Sequence, residues 1–328
     1  MSRLVTIYGG SGFIGRYIAR RMAKAGWRVR VAVRNPNEAI FVRPYGVVGQ
    51  VEPVLCNIRD DASVRAAMQG AEAVVNCVGI LVEKGRNRFD PVQAEGAARV
   101  ARLAAEEGVA RMVQISAIGA DADAPSDYAA SKGEGEMAVQ KYMPDAVILR
   151  PSIVFGPEDD FFNRFAGMAR NSPVLPVVGQ DIRFQPVYVD DVAQAAVLGV
   201  MGKAEGGIYE LGGPEVDTFR GLMGRMLDVI HRRRLILNLP NWIARIMAGG
   251  FDLLQSITLG LFTNRMITRD QIRNLAKDNV VSDGAKTFAD LRIKPVSMAS
   301  VLPDYLWRFR PSGQYDAIKD SARNLRNS

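Results

Sequence analysis

Along its first 150 residues the chain alternates short β-branched runs with stretches of helical periodicity. The runs are LVTIY (4–8), RVRVAV (28–33), VEPVLC (51–56), AVVNCVG (73–79), RMVQIS (111–116) and AVILRP (146–151). Between them, apolar residues recur at three- and four-residue spacing, which predicts helices up to about Ala25 and over 62–68, 92–107 and 128–141. Parallel strands need crossover connections, and a right-handed helical crossover is the usual one. The alternation therefore predicts an α/β fold with a doubly wound parallel sheet and helices on both faces. The apolar AVVNCV suits a strand covered on both sides.

After Pro151 the alternation loosens into proline- and glycine-rich connections, with further elements at PVYV (186–189), a helix over 191–201 and IYELGG (208–213). These supply the last strands of the sheet and the walls of a cleft. From about Thr218 the pattern turns mostly helical, which divides the chain into a nucleotide-binding domain (1–217), a smaller, mostly helical C-terminal docking region (218–310) and a polar tail (311–328). Within the docking region Trp242, Ile243, Ile246, Met247, Phe251, Leu254, Ile257 and Leu261 recur at helical spacing beside a basic fringe from His231 to Arg234 with Arg245 and Arg265. That pattern fits a helix lying on a membrane surface or partner over 241–265, and fits packing against the sheet equally well. Arg245, Asp252 and Gln255 argue against a membrane span. Trp307, Phe309 and Tyr315 among arginines suit a binding surface, whereas the last ten or so residues read as a frayed end.

Composition narrows the picture without naming a function. The chain has 328 residues, 48% hydrophobic and 23% charged, enough to bury a core unaided. A formal charge of +7 favours anionic partners, but no helix-turn-helix or finger pattern accompanies it, so no nucleic acid is expected. The only histidine, His231, lacks ligand-spaced neighbours, so no metal site is expected. Cys56 and Cys77 fall near the ends of non-adjacent strands, so they are read as unbridged thiols in a reducing compartment, and the first strand starts too early to leave room for a secretory signal.

Chemistry enters with YGGSGFIGRY. Gly9, Gly12 and Gly15 lie between the first strand and the first helix, where backbone can approach a pyrophosphate and its charge meets the helix dipole. This is the arrangement of a Rossmann-type dinucleotide site. An acidic residue would be expected at the end of the second strand to bind a ribose 2′-hydroxyl, but that position carries Arg34. A guanidinium there suits a 2′-phosphate, so NADPH is favoured over NADH.

YAASK places Tyr128 and Lys132 on one helix face, where the ammonium is expected to lower the phenol's pKa and the pair to pass a proton to or from a substrate oxygen. The strand before it ends in ISAIGAD: Ser116 is followed by Ala117 and Ile118, so Ser116 either orients a substrate or only satisfies backbone groups at the strand end.

Taken together, GGSGFIG, NCVG, YAASK, RPSIVFGP, PVYVDDVAQA and YELGGP resemble the short-chain dehydrogenase/reductase superfamily in its extended and atypical branches, over about residues 3–213. The resemblance implies that Gly9, Gly12, Phe13, Ile14 and Gly15 hold pyrophosphate, that Asn57 and Ile58 flank adenine, and that Gly79 lines the nicotinamide side. It further implies that Lys132 binds the nicotinamide ribose and that Pro151 to Ile153 pass the carboxamide; the catalytic set, vestigial if turnover is lost, is Tyr128 as acid/base with Lys132 as its electrostatic partner, and Ser116 if its hydroxyl serves the substrate. Active extended members carry a further hydroxyl after the fifth strand that is missing here, which counts against turnover. GLFTNRMITRDQIRNLAKDNVVSD (260–283), above all TRDQIRNLAKDNVV, resembles the nucleotide-binding accessory subunit of respiratory complex I, the 39 kDa type, in its bacterial form. That resemblance implies a structural NADPH, no independent turnover, other complex I subunits of the peripheral arm and membrane junction as partners, and a peripheral place on the cytoplasmic face of the inner membrane. An NADPH-dependent reductase or epimerase acting on a small carbonyl or sugar-nucleotide substrate is the alternative, and a redox-sensing NADP-binding regulator a third reading.

Overall fold

The computed structural model describes residues 3–83, 85–240, 270, 273 and 277–315. The expected membrane- or partner-facing stretch 241–265 and the tail beyond Tyr315 lie outside the described residues. The expected α/β architecture is present. Seven parallel strands form one sheet, in the order β11-β6-β5-β4-β1-β2-β3, from β1 (Leu4–Tyr8), β2 (Arg28–Val33), β3 (Val51–Leu55), β4 (Ala73–Asn76), β5 (Arg111–Ile115), β6 (Val147–Pro151) and β11 (Gly207–Leu211).

Strand alternation sorts the core into two layers. Val5 and Ile7 of β1, Ala73 and Val75 of β4, and Val113 and Ile115 of β5 meet Ile18, Ala19 and Met22 of α1 (Phe13–Lys24) and Val192 and Ala196 of α6 (Val189–Val200). The intervening Tyr8, Val74 and Met112 face the other way, onto Val64 of α2 (Asp61–Met68), Val100 and Leu103 of α3 (Glu95–Glu106) and Val139 of α4 (Asp127–Tyr142). A one-residue slip in any strand would exchange the two layers, so the register is strongly specified.

A third cluster forms away from the sheet. Phe155, Phe162, Phe184 and Phe219 pack with Leu222 and Met226 and with Leu302 and Leu306 from the helix Met298–Leu306. Its walls include α5 (Phe162–Asn171), α7 (Phe219–Val229) and three two-stranded pairs: β7 (Val154–Phe155) with β10 (Val187–Tyr188), β8 (Val174–Val177) with β13 (Leu235–Asn238), and β9 (Arg183–Phe184) with β12 (Asp217–Thr218). IYELGG thus supplies the edge strand β11, whereas PVYV shrinks to two paired residues off the sheet. The run LILN forms β13 inside the region expected to be helical; its leucines are exposed, so no alternating buried face marked it. Cys56 follows β3 and Cys77 follows β4, with two strands between them in the sheet order, and both thiols are free.

Candidate nucleotide-binding site

The carboxyl ends of β1 to β6 open toward one edge of the sheet, where doubly wound folds bind ligands. At β1 the backbone turns through Gly9 at φ +72°, a left-handed conformation that favours glycine, with its N–H donating to Ala32 O at 2.9 Å. A Cβ on Gly15 would lie 2.4 Å from Gly9 O and 2.7 Å from Gly10 Cα, so α1 rests directly on the loop backbone. Gly12 is the N-cap of α1 and offers no side-chain cap, and the first turn holds no acidic residue. The leading N–H groups of Phe13, Ile14 and Gly15 are therefore left to an anion.

Arg34 follows β2 directly and is exposed, its Nη1 donating to Asn87 Oδ1 at 3.3 Å. The neighbouring Arg59 holds Arg86 O at 2.8 Å. This puts two guanidiniums beside the 86–87 loop, the second of which the sequence reading passed over. Arg16 turns elsewhere, over the Phe41 ring and toward Glu158. Asn57 closes an Asx turn on Arg59 N at 3.2 Å, while Ile58 is buried beneath Gly96 of α3.

At the other end of the opening the side chains are buried and polar. Lys132 is 7% exposed and donates Nζ to Ile115 O at 3.2 Å, and a Cβ on the exposed Gly79 would meet that Nζ at 3.3 Å. Burial pulls the Lys132 ammonium down to about 8, against the opposing pull of Glu136 and Cys77. The half-buried Tyr128 stacks edge-on against Phe89 at 5.9 Å, and burial pushes its phenol up to about 12. The expected lowering by Lys132 does not arise: burial alone governs the Tyr128 phenol, and the Lys132 ammonium bonds the β5 carbonyl. Burial likewise pushes the Cys77 thiol up to about 12.

Ser116 ends the ladder of β5. Its N–H pairs with Leu149 O at 2.7 Å, continuing the β5/β6 ladder, while its Oγ is buried without a hydrogen-bond partner. The hydroxyl does not serve the backbone. The hydroxyl lies beside Lys132's anchor, Ile115 O, and is free to accept or donate to a further polar group. Pro151 ends β6 and is buried, and Ile153 packs against the third cluster. The expected site residues from Gly9 to Ile153 all fall along this one edge.

Residues 5–212 match the family model described as the NAD dependent epimerase/dehydratase family. The chain belongs to that family. Beyond it, the chain is 34% identical over 316 residues to NADH dehydrogenase [ubiquinone] 1 alpha subcomplex subunit 9, mitochondrial, of Arabidopsis thaliana, covering 94% of this chain and 79% of that one. It is 32% identical over 240 residues to a ceramide reductase of Caulobacter vibrioides, covering 73% of this chain and 74% of that one. Among solved structures, the NADPH-dependent quinone oxidoreductase QOR2 complexed with NADPH, from Escherichia coli, superposes with a TM-score of 0.70 at 19% identity over 92% of this chain and 98% of that one; at that identity it supports the fold alone. The likeness to a complex I subunit expected from the C-terminal motif is thus present over nearly the whole chain. The uncapped helix, the glycine approach and the orphaned Ser116 fit a dinucleotide, the cofactor class of the family.

Two further residues of the site have no counterpart in the expected set. Asp270 caps the start of α4, accepting Ser126 Oγ at 2.9 Å, Asp127 N at 2.8 Å and Tyr128 N at 3.2 Å. Asn279 accepts Ser152 Oγ on both its carbonyl and its Oδ1, at 2.8 and 2.6 Å. Both sit within the C-terminal motif, more than 120 residues from their partners, so no local spacing could reveal them. Among the described residues, no helix is long and apolar enough to cross a membrane.

Proposed function

We propose that the chain is an accessory subunit of a respiratory NADH:quinone oxidoreductase, carrying NADPH as a structural ligand and docking on the peripheral arm near the membrane and quinone site, at the cytoplasmic face of a bacterial inner membrane. One observation carries this reading. Similarity to the Arabidopsis subunit covers 94% of the chain, whereas the family match stops at residue 212, so the likeness takes in the C-terminal segment that reaches into the site. Pyrophosphate would be held by Gly9, Gly12, Phe13, Ile14 and Gly15, the 2′-phosphate by Arg34, and the nicotinamide ribose by Lys132, with Ser116 and Pro151 to Ile153 at the nicotinamide end. A ligand bound only by the folded chain stabilises it in proportion to the logarithm of its concentration over Kd, which is all a structural role requires.

Mild-detergent solubilisation of native membranes tests the proposal. The chain should migrate with NADH:quinone oxidoreductase and carry reduced nicotinamide through washing. Migration alone in the soluble fraction would overturn it.

A second reading is favoured by the Ser116 hydroxyl, the intact Tyr128 and Lys132, and the 32% identity to a ceramide reductase. Bound NADPH supplies hydride, and Tyr128, whose phenol stays protonated at neutral pH, would donate a proton to the substrate oxygen. Rapid oxidation of the bound nucleotide on adding a carbonyl compound would promote this reading over the first.

A further inference from the structure

The C-terminal segment meets α4 directly at Asp270 and, from Ser282, through a relay of charges. Asp270 takes up the free N–H groups at the start of α4, including that of Tyr128 itself. At Ser282 the backbone N–H donates to Glu210 Oε2 at 2.7 Å; Glu210 pairs with Arg150, and Arg150 forks onto Glu136, one turn beyond Lys132 on α4. Glu136 and Glu210 are both buried, so this chain of charges is stiff and costly to break.

Between these grips Asn279 ties together the strand ends that frame the nicotinamide side. Beyond its two bonds from Ser152, its Nδ2 reaches Ile118 O at 3.5 Å, its N–H donates to Arg183 O at 2.8 Å and its carbonyl accepts Gln185 N at 3.2 Å. Ser152 lies between Pro151 and Ile153, and Ile118 lies two residues past the orphaned Ser116 hydroxyl. The phosphate end of the opening receives no such bond from this segment among the described residues.

We infer that Asp270 and Asn279 are positioning residues of the nicotinamide half of the nucleotide site. They hold the Tyr128 turn and the β5/β6 edge in the form a bound dinucleotide meets, so that nucleotide binding and the attachment of Asp270 and of residues 279–282 strengthen one another. This rests on the nucleotide-carrying function proposed above. Reciprocity follows from linkage: whatever the segment adds to nucleotide affinity, the nucleotide adds to the segment's attachment.

The test compares two ligands on the full-length chain. NADPH spans both halves of the site, whereas adenosine 2′,5′-bisphosphate fills only the phosphate half. Asp270→Ala and Asn279→Ala should each weaken NADPH binding by about tenfold, equivalent to about 1.4 kcal/mol, and leave the bisphosphate unchanged. General loosening of the fold would weaken both ligands alike and would overturn the inference, as would unchanged NADPH affinity. If the variants do not fold, the unmodified chain decides: saturating NADPH should slow amide exchange at Tyr128, Val281 and Ser282, and unaltered exchange there would refute the coupling. Failure of the unmodified chain to bind NADPH at all would refute the proposed function instead, and is seen before any variant is made.

Discussion

The two ends of the nucleotide opening are built on opposite principles. The phosphate end is backbone: Gly9 to Gly15, one turn and the start of one helix, all within seven residues and with the leading N–H groups of α1, Phe13 to Gly15, left open. The nicotinamide end is side chain: Ser116, Tyr128, Lys132, Ser152, Asp270 and Asn279 arrive from five places along the chain and are buried or half-buried. The first end offers shape and a helix dipole, its open N–H groups coming from backbone alone. The second pays in stability, with a hydroxyl lacking a partner and an ammonium held out of water. Substitutions at the two ends should therefore act in different ways.

The largest effect is expected at Gly15. A Cβ there meets backbone atoms at 2.4 and 2.7 Å, which neither α1 nor the loop can yield without moving the phosphate cradle. Gly15→Ala should cost about 3 kcal/mol of stability and weaken NADPH by about a hundredfold, measured by denaturant unfolding and by titration. A stable variant that binds normally would mean the close approach is not needed.

Lys132 should behave oppositely. Its folded pKa, about 8, lies below its ordinary value of 10.5, so between these pH values the unfolded chain holds a proton that the folded chain has shed. Stability should then rise with pH across that window, and the penalty for burying the ammonium is felt in full below it. Lys132→Met, without the charge, should be more stable than the parent at pH 7 by up to about 3 kcal/mol, an advantage that fades by about pH 10.5. Thermal melts of both proteins across that range would measure it. A variant less stable at every pH would show that the bond to Ile115 outweighs burial.

Arg34 sharpens the contrast from the phosphate end. Exposed and held, among the described residues, by a neutral amide, it can turn to a 2′-phosphate with little loss. Arg34→Asp should leave the melting temperature nearly unchanged while removing about 2 kcal/mol, or about thirtyfold, of the preference for NADPH over NADH. Equal titration curves before and after the change would remove the argument for NADPH.

This division also explains what could be read from the sequence. Strand alternation, the glycine spacing and the Tyr128–Lys132 pair are local patterns, and the sheet, the turn through Gly9 and the helix α4 follow them closely. The direction of the Tyr128 shift could not be read, because i,i+4 spacing places two side chains on one face without saying that Nζ will find Ile115 O, 17 residues back on β5. Asp270 and Asn279 were hidden for the same reason: an aspartate and an asparagine in a polar motif signal nothing until the fold carries them to α4 and β6. The strand LILN was missed because its exposed leucines defeat the alternation that marks a strand.

Ser116 gives the smallest effect and the cleanest separation of the two ends. At 4% exposure its Oγ has no partner, so the folded chain without nucleotide already bears the cost of a buried hydroxyl. Ser116→Ala removes that cost and leaves no void larger than one oxygen, so the nucleotide-free protein should be as stable as the parent or up to about 1 kcal/mol more so. If the hydroxyl meets the nicotinamide end of the ligand, the same change should weaken NADPH by about fivefold, the worth of one hydrogen bond. Adenosine 2′,5′-bisphosphate should bind as before. The parent would then lead the variant with NADPH present and trail or match it without, a reversal that packing alone cannot produce. Should Ser116→Ala lose stability in the absence of nucleotide, the hydroxyl has a structural task, and the nicotinamide end is less a place of unmet polarity than the geometry of β5 implies.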